Sequence, residues 1–300
     1  MNRRLARLFS IGLLFFTFVS CGSSNSGSGL KGNIVIDGSS TVYPITEIVA
    51  EEFSDVERGV RVSIGESGSG GGLQKFSNGD IDIVNASREI KDKELEKATS
   101  NGIDVGRLVV ASDGISVVVN PQNDFATDLT HEELNHIFRQ EDPAIYWSDV
   151  REGFPKEKIK VYTPGTASGT FEFFTEVVNH EAKSQREDAI LSEDDNILIR
   201  GVSEDKYAIG YFGYSYYEAN KDKVKLVSID GVAPSPETIN DESYLLARPL
   251  FIYYDRNDLS RPEINAFLTF YLTNVFSLAS EVNLVPLTQE NYNSQLEDLK

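Results

Sequence analysis

The sequence predicts an α/β protein built from two units, and three observations lead to that prediction. The first ninety residues alternate strand, helix, strand, helix, strand, which is the pattern of a parallel sheet. A second series of helices and strands begins near residue 120. The 300 residues are 40% hydrophobic and 25% charged, which is ordinary for a globular protein with a core, and the length suits one large or two medium domains.

The first part of the chain divides into short strands and helices. "GNIVIDGSS" (32–40) predicts a buried strand that ends in a polar turn. A helix follows, because Pro44 suits a first helical turn and apolar residues then recur with helical spacing at Ile45, Ile48, Val49 and Phe53. "VRVSIGES" predicts a strand, "GGLQKFSNGD" a short helix closed by Asn-Gly, and "IDIVNASR" another strand.

The second part repeats this alternation. "RLVVASDGISVVVNP" (107–121) predicts a pair of apolar strand segments around Asp113-Gly114, and "LTHEELNHIFRQ" a helix with Thr130 as its N-cap. "KIKVYTP" predicts a strand and "FEFFTEVVNH" a helix, and "YAIGYFGYSYYEAN" is strand-like at first. "LLARPLFIYYD" (245–255) predicts a long extended segment that leads into the helix "PEINAFLTFYLT".

The N-terminus indicates export. Three arginines precede an apolar run that is too short to span a bilayer, which predicts a signal peptide over residues 1–20. Cys21, the only cysteine, follows directly in a context that resembles the lipobox of bacterial lipoproteins, although a chance cysteine is the alternative. Residues 21–30 are then a lipidated cysteine and a Gly/Ser tether, and diacyl lipidation would anchor the protein to the cell membrane on its extracytoplasmic or periplasmic side.

The formal charge of −19 makes nucleic acid an improbable partner, because the surface repels phosphate backbones. It repels small anions at long range too. Any anion site must therefore be local, built from backbone dipoles, hydroxyls and a few cations.

Three segments have the composition of such a site. "DGSSTVYPITEIV" (37–49), "GESGSGGGLQKF" (65–76) and "YTPGTASGTFEFFTE" (162–176) each follow a predicted strand and open a helix. A helix N-terminus offers unpaired N–H groups and a partial positive charge, and glycine lets an anion approach closely. If the three N-termini converge, they surround a compact anion with donors. The alternative is that these residues are ordinary helix caps.

Motifs for catalysis and metal binding are missing from the sequence. "GESGSGGGLQK" lacks the Gly-Lys-Ser/Thr end of a P-loop, and the glycine segments lack the spacing of a nucleophile elbow. His131 and His136 are five residues apart, one too many for the zinc motif, and His180 stands alone. We therefore expect no enzyme activity, no catalytic residue, no cofactor and no metal.

Six ordered blocks carry a family resemblance: "IDGSSTVYPITE", "SGSGGGLQKFSNGDIDIVNASREI", "DGISVVVNP", "LTHEELNHIF", "GTASGTFEFF" and "AIGYFGYSYY". Together they resemble the phosphate-binding lipoproteins of bacterial high-affinity phosphate ABC transporters (PstS type). The resemblance implies the two-lobed periplasmic-binding-protein fold of type II, in which two crossover strands join two α/β domains around a ligand cleft. Domain I would comprise about 30–118 plus 247–300, and domain II 119–246.

The resemblance also implies a phosphate site on the three glycine segments. The contacts fall on Thr41 with the backbone amide of Val42, on Ser69, and on Ser168, Gly169 and Thr170, with Ser40 a further candidate by proximity.

Two positions depart from the family pattern. Arg88 stands where some members have an aspartate that accepts the proton of hydrogen phosphate, and Pro164 where those members have an arginine. Arg88 is therefore the candidate for the fixed cation of the site. A salt bridge of Arg88 with Glu89 or Glu66 is the alternative.

The missing aspartate leaves selectivity open. Glu66, Asp113 and Glu172 could accept the phosphate proton, with Asp113 the first choice. The expected function is capture of inorganic phosphate by a monomeric two-domain clamp that delivers it to a membrane permease. One alternative is that the same fold binds another tetrahedral oxyanion such as sulfate. The other alternative is that the protein is a surface lipoprotein acting in phosphate sensing or adhesion.

Overall fold

A computed structural model describes residues 29–166, 168–192 and 194–300. The predicted signal peptide and Cys21 lie outside these residues. Within the described ranges, no helix has both the length and the apolar character that a bilayer span requires. The fold is mixed α/β, with helices packed on both faces of a long twisted sheet.

Two long strands run through the centre of the sheet. They are β4 (Val105–Val119) and β11 (Ala247–Asp255), which pair antiparallel. β4 pairs with β11 as far as Gly114 and with a strand of the other half from Ile115 onward. We call the two parts of the sheet on either side of this change the first and the second half-sheet.

The first half-sheet has the strand order β2-β1-β3-β11-β4. Its strands and helices in chain order are β1 (Gly32–Gly38), α1 (Tyr43–Val56), β2 (Val60–Ile64), α2 (Gly68–Asn78), β3 (Ile83–Ala86) and α3 (Asp92–Ser100). After β11 come a 3₁₀ turn (Arg256–Ser260), α10 (Pro262–Leu278), a second 3₁₀ turn (Ala279–Val282) and α11 (Gln289–Glu297). The predicted strands and helices of this part are confirmed, including Pro44 in the first turn of α1 and the left-handed Gly79 that ends α2.

The second half-sheet has the order β4-β8-β6-β7. Between β4 and β11 the chain forms β5 (Asp128–Leu129), α4 (His131–Phe138), α5 (Trp147–Val150), β6 (Lys160–Pro164), α6 (Gly169–Asn179), β7 (Ile190–Ser192), α7 (Asp195–Glu204), β8 (Ala208–Gly213), α8 (Tyr214–Glu218), β9 (Lys225–Leu226), β10 (Ser228–Ile229) and α9 (Pro236–Asn240). Of these strands, β9 pairs with β4, and β5 and β10 pair with each other in a separate two-stranded sheet. Thr130 caps α4 as predicted, because its hydroxyl accepts from Glu133 N.

One local prediction is wrong: Asp113-Gly114 does not separate two strand segments. Both residues lie inside the continuous strand β4, in register with Arg248 and Ala247 of β11. Asp-Gly favours turns when it is exposed, but here the pairing strand and close packing keep the chain extended. A Cβ on Gly114 would lie 2.5 Å from the Cδ1 atom of Ile239, so the glycine permits close packing.

Hydrophobic cores cover both faces of each half-sheet. In the second half-sheet, for example, Val117 packs in one core and its neighbour Val118 in the core on the opposite face. Strands buried on both faces are continuous apolar runs in the sequence, which explains the three consecutive valines at 117–119.

Candidate anion-binding cleft

The three glycine segments meet at one cavity between the half-sheets. They connect β1 to α1, β2 to α2 and β6 to α6, so each stands at the carboxyl end of a strand, where α/β proteins bind ligands. The cavity has a volume of about 340 Å³ and is lined by Ser39, Ser40, Thr41, Gly68, Ser69, Gly70, Ser87, Arg88, Lys91, Gly169, Glu172, Glu176 and Arg248. The sequence prediction that these segments share a crevice is therefore confirmed.

Asp37 ties the first two segments together. One of its carboxylate oxygens accepts hydrogen bonds from Gly38 N at 2.7 Å and from Ser67 N at 2.8 Å, and the other pairs with Lys75. Burial by itself would raise the pKa of Asp37, but the hydrogen bonds from Lys75 and Ser67 lower it below its ordinary value. The charged carboxylate thus holds the end of β1 against the N-cap residue of α2.

Glycine is required where these segments touch. Gly38 has a φ of 137°, and a Cβ there would lie 2.0 Å from the carbonyl oxygen of Asn85. A Cβ on Gly72 would lie 2.5 Å from the Cα atom of Gly38. These contacts bring Ser39 and Thr41 close to α2, and the hydroxyl of Ser39 accepts from Thr41 N at 3.2 Å. Val42, whose side chain is fully buried, follows as the N-cap residue of α1.

Ser69 lies at the N-terminus of α2 and contacts the end of the next strand. Its hydroxyl oxygen accepts from Ser87 N at 3.0 Å and lies 3.1 Å from the hydroxyl oxygen of Ser87. Because Ser69 accepts from a backbone amide, its own proton can be donated to Ser87 or to a ligand in the cavity.

The third segment brings α6 to the cavity from the other side. Ser168 is the N-cap of α6, and its hydroxyl accepts from Thr170 N at 3.2 Å. Gly169 lines the cavity, whereas Ser168 and Thr170 flank it without lining the wall. A Cβ on Gly169 would lie 2.7 Å from Oγ1 of Thr41, so the backbone of one half of the molecule contacts a hydroxyl of the other.

Arg88 lines the cavity and forms a bidentate ion pair with Glu94. Its Nη1 and Nη2 atoms donate to the two carboxylate oxygens at 2.9 and 2.8 Å, and Nη1 also donates to the carbonyl oxygen of Glu89. The hydrogen bonds raise the pKa of Arg88 and lower that of Glu94. The side chain of Arg88 remains 31% exposed, so an ion pair with Glu94 and a place on the cavity wall coexist.

Sequence reasoning missed Arg248, which lines the cavity from β11. Its side chain is 15% exposed and donates from Nε and Nη2 to one carboxylate oxygen of Asp113, at 3.1 and 3.0 Å. Nη2 also donates to Oγ1 of Thr41 at 3.2 Å. A signal for Arg248 was present: a charged residue inside the apolar run "LLARPLFIYYD" is unusual unless it is paired or functional.

The candidate proton acceptors occupy different places. Glu172 lines the cavity and pairs with Lys183 at 3.2 Å, and Glu176, which sequence reasoning also missed, lines it one helical turn later. Asp113 is 7% exposed and bonded to Arg248, and neither Asp113 nor Glu66 is on the cavity wall. The carboxylates that face the cavity therefore come from α6.

The three histidines of the sequence line a separate surface cavity of about 560 Å³. The rings of His131 and His180 are 5.3 Å apart, centroid to centroid. Among the described residues, no group of three or more His, Cys, Asp or Glu side chains is arranged to hold a metal ion.

Comparison with known proteins identifies the family. The profile of a PBP superfamily domain matches residues 23–275. The chain belongs to the PBP superfamily. The family resemblance of the six sequence blocks is thereby confirmed, and so is the periplasmic-binding-protein fold. Members of this superfamily are solute-binding receptors, and the cleft at the carboxyl ends of the strands corresponds to that role.

Individual relatives cover nearly the whole chain. Protein SphX of Synechocystis sp. is 40% identical over 97% of this chain and 88% of its own length. The phosphate-binding protein PstS of Staphylococcus aureus is 40% identical over 94% of this chain and 87% of its own. Among solved structures, a possible phosphate binding protein from Planctomyces limnophilus superimposes with a TM-score of 0.84 at 42% identity, covering 90% of this chain and 98% of its own.

Proposed function

We propose that this protein captures inorganic phosphate in the cleft and delivers it to the permease of an ABC transporter. The observation that carries the proposal is the convergence of three strand-to-helix segments, rich in hydroxyls and glycines, on one small cavity between the half-sheets. The name of the Staphylococcus aureus relative, a phosphate-binding protein aligned over 94% of this chain, supports phosphate as the ligand.

The cleft suits an anion although the protein is strongly acidic. Helix N-termini present backbone N–H groups and partial positive charge without requiring a net positive surface. The fixed cation of the proposed site is Arg88. The proposed contacts come from Ser40, Thr41, the amide of Val42, Ser69, Arg88, Ser168, Gly169 and Thr170. Asp113 is off the cavity wall and belongs to the site only through its ion pair with Arg248.

The carboxylates of α6 favour phosphate over sulfate. Hydrogen phosphate carries a proton that needs an acceptor, because a buried donor without a partner costs about 1–3 kcal/mol. Glu172 and Glu176 line the cavity and supply that acceptor. Sulfate has no proton to donate and would be repelled by the same negative charge.

We further propose that the two halves of the molecule act as a clamp. Residues 30–118 plus 247–300 form one lobe and 119–246 the other, joined by β4 and β11. The close approach of Gly169 to Thr41 supports a closed state in which both lobes contact the ligand. Closure excludes water and strengthens the polar contacts with the anion.

The proposed setting is the extracytoplasmic face of the cell membrane, with the monomeric protein anchored through lipidated Cys21. The basic and apolar N-terminus supports this. The expected result is that the parent protein fractionates with membranes and that Cys21→Ser releases it. Equal membrane association of both would contradict the anchor.

Isothermal titration calorimetry with phosphate and with sulfate tests the function. We expect phosphate to bind with one site per chain and sulfate to bind far more weakly. Equal affinities for the two anions would contradict the proposed selectivity, and no heat with phosphate would contradict the function itself.

A further inference from the structure

Arg248 contacts residues from three other segments of the fold. It lies on the central strand β11, in register with Asp113 on β4, and its guanidinium carbon lies 4.1 Å from the ring centroid of Phe173 on α6. Through Nη2 it also contacts Thr41, at the start of α1. One partly buried cation therefore touches the segment after β1, both central strands and the helix of the opposite half.

The contact with Thr41 fixes the direction of a hydrogen bond. A guanidinium group can only donate, so the oxygen of Thr41 is the acceptor. The hydroxyl proton of Thr41 must then be directed to another acceptor. A hydroxyl held in this way presents a donor to the cavity, which is the role that an oxyanion requires.

Arg248 also has donor capacity left over. Nε and one Nη2 proton are directed to Asp113 and Nη2 also serves Thr41, whereas Nη1 makes no hydrogen bond to any described residue. Since Arg248 lines the cavity, the protons of Nη1 can reach a bound anion. Asp113 and the ring of Phe173 hold the guanidinium plane in one orientation.

We propose that Arg248 is a second anion-binding cation of the cleft, and that it orients the hydroxyl of Thr41 as a donor to the bound oxyanion. Asp113 is a positioning residue that acts through Arg248. This inference rests on the proposed function, because the anion is taken to be phosphate.

The first test compares Arg248→Gln, Arg248→Lys and the parent by titration calorimetry with phosphate. We expect Arg248→Gln to weaken binding by about 10- to 100-fold, as for loss of a hydrogen bond to a charged group. Arg248→Lys should retain part of the affinity because it keeps the charge. The control is Arg107→Gln: Arg107, on β4, also forms an ion pair, with Glu89 at 2.5 Å, and lies over the ring of Phe251, but it does not line this cavity.

Two double variants separate binding from folding and test the orientation of Thr41. Asp113→Asn with Arg248→Gln removes both charges, leaves no buried carboxylate unpaired, and should melt near the parent temperature yet bind as weakly as Arg248→Gln. Thr41→Val with Arg248→Gln should bind more tightly than the product of the single losses predicts, because the two residues act together.

The outcomes are distinguishable. If the parent binds phosphate and the affinity of Arg248→Gln for phosphate is within twofold of the parent affinity, the inference about Arg248 is overturned and the proposed function stands. Losses in Thr41→Val and Arg248→Gln that multiply independently also overturn it. If the parent gives no heat with phosphate, both the inference and the proposed function fail.

Discussion

Replacing Gly169 by alanine would test whether the two lobes must touch for the ligand to bind. A Cβ at this position would lie 2.7 Å from Oγ1 of Thr41, 3.9 Å from its Cβ and 4.0 Å from Oγ of Ser40. The first distance is too short for a carbon and an oxygen that are not bonded. Rotation of the Thr41 side chain would relieve this contact only by breaking its hydrogen bond with Arg248. The closed state must therefore either lose that bond or open slightly.

The size of the effect follows from this single contact. Inserting a methyl group into a well-packed contact costs about 1–3 kcal/mol, which corresponds to roughly 5- to 150-fold in affinity if the cost falls only on the closed state. Local folding should not suffer. Gly169 is the first residue of α6 and lies outside the left-handed region, and alanine is a better helix former than glycine by about 1 kcal/mol.

Calorimetry and thermal melting together measure both effects. We expect Gly169→Ala to bind phosphate at least fivefold more weakly, as the lower limit of 1 kcal/mol implies, while it melts at or above the parent temperature. Gly70→Ala is the matched control, because a Cβ there lines the same cavity but makes only an ordinary contact, 3.7 Å from Nη2 of Arg88. Parent-like affinity in Gly169→Ala would refute the reasoning. Equal losses in both variants would show that cavity volume, rather than contact between lobes, limits binding.

Three further predictions concern charged residues. Arg88→Gln should weaken phosphate binding more than tenfold, since it removes a charged donor; unchanged calorimetric affinity would contradict the role of Arg88. Hydrogen bonds keep the folded-state pKa of Asp37 below its ordinary value of 3.8, so its contribution to stability is present above that pH and is lost as the pH falls through the folded value. The difference in unfolding free energy between the parent and Asp37→Asn, measured by denaturant titration, should therefore shrink below about pH 4, and a constant difference would argue against it. Glu172→Gln with Glu176→Gln should reduce the ratio of phosphate to sulfate affinity about tenfold, because an amide oxygen accepts the phosphate proton more weakly than a carboxylate and no longer repels sulfate; an unchanged ratio in competition binding would exclude both carboxylates as selectivity residues.

Local sequence patterns predicted most strands and helices because their causes are local. The apolar spacing of α1, Pro44 in its first turn, the Thr130 cap and the Asn-Gly end of α2 act within a few residues. The prediction at Asp113-Gly114 was wrong because its conformation depends on β11, more than 130 residues later in the chain, as the 135-residue separation of Asp113 and Arg248 illustrates.

The candidate site divides in the same way. The three glycine segments could be found from sequence, since a strand that ends in Gly, Ser and Thr before a helix has a local signature. The partners of the charged residues could not be found from the sequence. The sequence offered Glu89 or Glu66 for Arg88, but the bidentate partner is Glu94.

The sequence by itself determined the alternation of strands and helices, the hydroxyl-rich helix N-termini and the excess of negative charge, because each is a property of composition or of neighbouring residues. Only the tertiary structure decided that Arg248 stands between Asp113, Thr41 and Phe173, and that Gly169 meets Thr41. Those contacts join residues that are far apart in the chain, and the pairing of β4 with β11 and the packing of the two half-sheets bring them together.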